Sequence, residues 1–72
     1  MLTYILSEIN GDEYIYIYYP DGNKNAPGKV GLSKNGEKRI IEESSQDFGR
    51  RYANHAMNGI DISKESGTVA WY

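Results

Sequence analysis

Nucleophilic catalysis needs a serine, threonine, cysteine or lysine held beside a base. This chain offers a single histidine and no cysteine. His55 stands beside Ala56 and one helical turn after Tyr52. Spacing nominates no serine or carboxylate as its partner, so it reads as a boundary residue of a helix with one ring nitrogen bonded. The competing enzyme reading is a small hydrolase or nuclease built on His55 with Arg51. Glu42 and Glu43 are adjacent, but neighbours on a strand point to opposite faces and do not form an acid–base pair. One imidazole without a thiol does not make a structural zinc site. The stretch Asp21–Asn25 lacks the spaced ligands and closing glutamate of a calcium loop, and reads as an Asx turn. Gly28 and Gly31 flank Val30 with no following Gly-Lys-Ser/Thr and no helix, so they do not cradle phosphate. The expectation is no enzyme, no catalytic set, no metal and no cofactor.

Binding chemistry is better represented. Tyr14, Tyr16 and Tyr18 alternate along Glu13–Tyr19, which places three phenols on one strand face. Tyrosine combines a large contact area with a hydrogen-bonding tip. Arg50 and Arg51, with Asn54 and Asn58, form a second polar patch that suits a phosphate or an acidic partner. The tyrosine face, with Ile5 and Ile40 between the rings and Lys29 and Lys38 at its border, is the expected working surface. It suits a protein partner or a second copy of the chain. Single-stranded nucleic acid is the alternative, through stacking of bases on the rings. Plain cross-strand packing would account for the same pattern.

These side chains need elements to hold them. Asn10-Gly11 and Asn35-Gly36 separate β-prone runs, and Asn-Gly is the strongest short hairpin signal. The first hairpin joins Leu2–Ile9 to Glu13–Tyr19, and the second joins Lys29–Lys34 to Glu37–Glu43. Pro20–Pro27 is a polar loop between them. After Glu43 the apolar spacing becomes helical, through Phe48, Tyr52, Ala53, Ala56 and Met57. Ser44 or Ser45 caps the start and Gly59 the end, giving a helix near residues 46–59. Thr68–Tyr72 is a short terminal strand. The fold class is α+β: an antiparallel sheet of two hairpins plus a C-terminal strand, order ββββαβ, with one helix on one face.

Two-residue turns at Asn10-Gly11 and Asn35-Gly36 set a register, and register sets faces. Ile5 then pairs with Tyr16 and Thr3 with Tyr18, on the open face. Leu2, Tyr4 and Leu6 oppose Ile15, Ile17 and Tyr19 on the core face. The expected core is Leu2, Tyr4, Leu6, Ile15, Ile17, Val30, Leu32, Ile41, Phe48, Tyr52, Ala56, Ile60, Val69 and Trp71.

Composition narrows the context. Seventy-two residues make one domain with a modest core, here without disulfides. Eight Lys and Arg against ten Asp and Glu argue against a strong general grip on nucleic acid. No run approaches a membrane span and no signal-peptide pattern opens the chain. Absence of cysteine fits a cytoplasmic protein. The segments Tyr19-Pro20-Asp21-Gly22-Asn23, Ala26-Pro27-Gly28-Lys29-Val30, Arg51-Tyr52-Ala53-Asn54-His55-Ala56 and Gly67-Thr68-Val69-Ala70-Trp71-Tyr72 resemble small uncharacterised single-domain proteins of Firmicutes genomes and their phages and mobile elements. That resemblance implies a bacterial or phage setting and assigns no residue a role. Size and setting together suggest an inhibitor or adaptor that acts by occupying another protein.

Overall fold

The computed structural model describes residues 1–71. Five antiparallel strands, β1 (Leu2–Asn10), β2 (Glu13–Pro20), β3 (Gly28–Ser33), β4 (Lys38–Glu42) and β5 (Ser66–Val69), form one sheet in the order β4-β3-β2-β1-β5. One helix, α1 (Arg51–Gly59), crosses one face. This is the α+β, ββββαβ architecture expected from the turn signals. The terminal strand begins and ends earlier than expected, and Tyr72 lies outside the described residues.

The register differs from the simple hairpin, and the difference decides which residues are buried. The first turn sits at Gly11-Asp12, so that Asn10 pairs with Glu13 and Ile9 with Tyr14. Moving the turn by one residue on both strands leaves the faces unchanged. A β-bulge at Ser7 then inserts one extra residue into β1, and this does change them. Beyond it Leu6 pairs with Tyr16, Tyr4 with Tyr18 and Leu2 with Pro20. The aliphatic residues of β1 therefore share a face with the tyrosines rather than with Ile15, Ile17 and Tyr19. A similar one-residue change occurs in the second hairpin. Its loop has three residues, 34–36, closed by the Ser33 N–H donating to Glu37 O at 2.8 Å. Ile40 and Lys38 consequently oppose Val30 and Leu32, and Ile41 turns out to solvent.

The core lies between that sheet face and α1. Leu2, Tyr4, Tyr16, Tyr18, Val30 and Leu32 from the sheet meet Ala53 and Ala56 of α1 and Ile60 just beyond it. The small Ala53 and Ala56 side chains let α1 approach the phenol rings closely. Tyr4 and Tyr16 meet edge to face, 5.5 Å between centroids, a favoured aromatic geometry. Tyr52 and Trp71 pack against the edge of this core.

The two phenols with no exposed surface, Tyr16 and Tyr18, each carry their hydroxyl to a partner, as burial of a polar group requires. Tyr16 donates to Lys64 O at 2.7 Å. Tyr18 donates to Asp47 Oδ2 at 2.5 Å and accepts from the Ser44 N–H at 3.1 Å. Burial is the main cause pushing both phenols above the ordinary tyrosine range, and hydrogen bonding to Asp47 pushes Tyr18 further. The fold thus holds their protonated forms. This contribution is complete below the unfolded value of about 10 and is lost as pH rises toward the folded values. Chemical denaturation midpoints should be flat from pH 7 to 9 and fall steeply above pH ~10. A midpoint unchanged through pH ~11 would contradict the burial of these hydroxyls.

α1 begins five residues later than the spacing implied. Gly49 (φ 66°) and Arg50 (φ 60°) are both left-handed, which a right-handed helix cannot contain. Ser44 is buried and does not cap it; its hydroxyl donates to Ala26 O at 2.6 Å. Asp47 takes over, its Oδ1 accepting the Tyr52 N–H at 2.7 Å. That satisfies one of the free donors at the helix start. Phe48, expected in the core, lies outside the helix and is 91% exposed.

Candidate functional site

The expected site was a tyrosine stripe on the open sheet face. The structure places Tyr16 and Tyr18 fully buried beneath α1, with Tyr14 half-buried on the same side. The Ser7 bulge and the helix together account for this. Tyr16 and Tyr18 therefore present no open stacking surface, and Tyr14 is only partly exposed.

The uncovered face carries the other alternation. Thr3 pairs with Tyr19 and Ile5 with Ile17, Ile17 pairs with Lys29, and Ile15 pairs with Gly31. It is less open than its composition implies. Ile15 is buried on this side, because Gly31 beside it has no side chain and Arg39 reaches across to Glu13. That pair is bidentate, Arg39 Nε and Nη2 each 2.7 Å from a Glu13 oxygen. The hydrogen bond with Arg39 holds the Glu13 carboxyl below the usual carboxylate range. Ile17 and Tyr19 are half-buried, and Lys24 lies over the Tyr19 ring at 4.2 Å. Ile5 is the one clearly exposed aliphatic residue among these.

The second expected patch is better formed. A cleft of about 400 Å³ between β4 and α1 is lined by Lys38, Arg39, Ile41, Glu43, Arg50, Asn54 and Met57, among others. It brings together Lys38 and Arg50, which are twelve residues apart in sequence. Lys38, assigned to the border of the open sheet face, instead lies on the helix side, where Nζ donates to Asn58 Oδ1 at 3.4 Å. The shifted second hairpin is the reason. Arg50 pairs loosely with Glu43, 3.8 Å apart with both side chains largely in solvent, an arrangement worth little energetically. Arg51 is exposed in the first turn of α1 and does not line this cleft.

Phe48 stands two residues before Arg50 in sequence and does not itself line this cleft. Its segment is held at both flanks: Asp47 accepts from Tyr18 and Tyr52, and Arg50 O accepts the Asn54 N–H at 2.9 Å. Gln46 Nε2 donates to Asp21 Oδ2 at 2.9 Å and Tyr52 Oη donates to the same oxygen at 2.9 Å, tying this loop to the end of β2. Sequence reasoning missed Phe48 as a surface residue because its spacing continues the apolar stripe of α1. The signal available was Gly49, a poor residue inside a helix.

His55 stacks face to face on Trp71, 3.9 Å between ring centroids and 5° from parallel. Among the described residues no serine, threonine, lysine or carboxylate hydrogen-bonds to it. Among the described residues no three acidic or histidine side chains converge to hold a metal, and no helix is long and apolar enough to cross a membrane. Comparison with protein-family models, curated proteins and solved structures gives no match.

Proposed function

We propose that this chain is a non-catalytic protein-interaction module that docks through Phe48, with Arg50, Arg51 and the Lys38–Arg50 cleft beside it. The partner this surface fits is a protein with an apolar socket for one phenyl ring, rimmed by carboxylates. The observation that carries the reading is Phe48 itself, 91% exposed on a fixed loop. Burying a phenylalanine is worth roughly 1.5–3 kcal/mol, and a small domain has little stability to forgo. The left-handed Arg50 adds a cost of order 1 kcal/mol that a glycine would avoid. Residues kept at such a cost cluster at binding sites. Aromatic and arginine side chains are also those that dominate interface energetics.

Single-stranded nucleic acid is a weaker fit. The tyrosine platform is buried, and the chain is net acidic by two charges. Self-association through the open sheet face has Ile5 in its favour, but Ile15 beside it is already covered.

Phe48→Ala separates these readings. Because the ring makes little contact with the core, the melting temperature should stay within about 2 °C of wild type, as at other surface sites. A core phenylalanine would cost 3–5 kcal/mol. Partner retention on immobilised protein should fall about thirtyfold, the loss of roughly 2 kcal/mol expected at an interface centre. A large drop in melting temperature, or unchanged retention, would rule out the docking role.

A further inference from the structure

The sheet has an incomplete edge. β5 pairs only with Leu2–Ile5 of β1, and the Leu6 N–H donates to Glu65 O at 2.6 Å. There the chain turns away. The Tyr16 hydroxyl holds Lys64 O at 2.7 Å, which keeps the preceding loop on the helix side. Among the described residues, no strand pairs with the outer edge of residues 7–10. A groove of about 490 Å³ runs along it, lined by Ile5, Leu6, Ser7, Glu8, Ile9, Glu65 and Ser66. Unpaired strand edges of this kind are templates for an added strand.

The side chains specify what that strand would be. Glu8 pairs with Ile15 and so lies on the open face, while Ile9 pairs with Tyr14 and lies on the helix face. Ile9 is 52% exposed. Among the described residues neither Glu8 nor Glu65 has a salt-bridge partner, and no cation lines the groove. A strand laid along this edge would meet a carboxylate on one face and an isoleucine on the other. We infer that residues 7–10 of β1 bind an extended peptide of another protein that alternates basic and apolar residues, adding it as a sixth strand in line with β5. A second copy of this chain is the poorer occupant. Twofold pairing of the edge with itself sets Glu8 near its own copy, and like charges across strands repel. This site is separate from Phe48 and does not depend on it.

The test uses the full chain and two labelled hexapeptides, one alternating Lys and Val, the other Glu and Val. Fluorescence anisotropy should show the Lys-Val probe binding at least tenfold more tightly than the Glu-Val probe, with hydrogen exchange slowed at residues 7–10. Glu8→Lys, a change at an exposed position, should reverse that preference. Phe48→Ala should leave Lys-Val binding unchanged. Equal binding of both probes, protection elsewhere, or no binding at about 1 mM peptide would overturn the inference. So would a dimer in sedimentation whose protected amides are residues 7–10, because a second copy would then be the occupant.

Discussion

Tyr16→Glu is expected to leave the chain unfolded at room temperature. Tyr16 has no exposed surface, stands edge to face with Tyr4, and ties the β5-proximal loop through Lys64 O. The substitution removes the ring, a loss comparable to the roughly 3–5 kcal/mol of large-to-small aromatic changes. It also leaves a carboxylate to be buried or protonated, at several further kcal/mol. Domains of this size hold little more than about 5 kcal/mol in all. Circular dichroism should show loss of strand signal, and emission from the single tryptophan, Trp71, should shift to that of an exposed indole. A folded Tyr16→Glu protein would mean that the tyrosine face is open and that the sheet is covered from its other side.

Gly28→Val should be nearly as damaging, for a steric reason. Gly28 pairs with Tyr18 across β2 and β3, and a Cβ at Gly28 would fall inside contact distance of the Tyr18 ring. The ring has no room to yield. Its hydroxyl is held by Asp47 and Ser44, and it is fully buried. Overpacking a rigid site costs about 1–3 kcal/mol and at times more, and a branched side chain belongs at the upper end. The melting temperature should fall by more than about 10 °C, given 4–8 °C per kcal/mol for small domains. Gly28→Val in a Tyr18→Ala background should cost much less than in the wild type. Equal costs in both backgrounds would show that the ring is not the obstacle.

Strand number, strand order along the chain and the single helix were legible because they rest on local signals: turn residues and apolar period. The faces of β2 were not. Ile15, Ile17 and Tyr19 looked like the core partners of Leu2, Tyr4 and Leu6 because they are the more aliphatic set. The Ser7 bulge reverses that partnership, and nothing local in Leu-Ser-Glu marks a bulge. Ile40 and Ile41 exchanged places for a similar reason, since Asn35-Gly36 serves equally in a two-residue or a three-residue loop. Of the expected site residues, Arg50 and Lys38 are brought to one cleft, Arg51 and Ile5 are exposed apart from it, and Tyr16 and Tyr18 are interior. Phe48 was hidden by its own helical spacing, which two left-handed residues interrupt before the helix starts.

The docking role of Phe48 is tested most directly by placing a benzoylphenylalanine photo-crosslinker at position 48 and irradiating cells that produce the chain. The same residue at Asn25, an exposed loop position, serves as the control. The account predicts one discrete adduct of this chain with a different protein from position 48, absent from position 25, and lost when Arg50 and Arg51 are both changed to Glu. No adduct above the position-25 control, or an adduct composed of two copies of this chain, would contradict it.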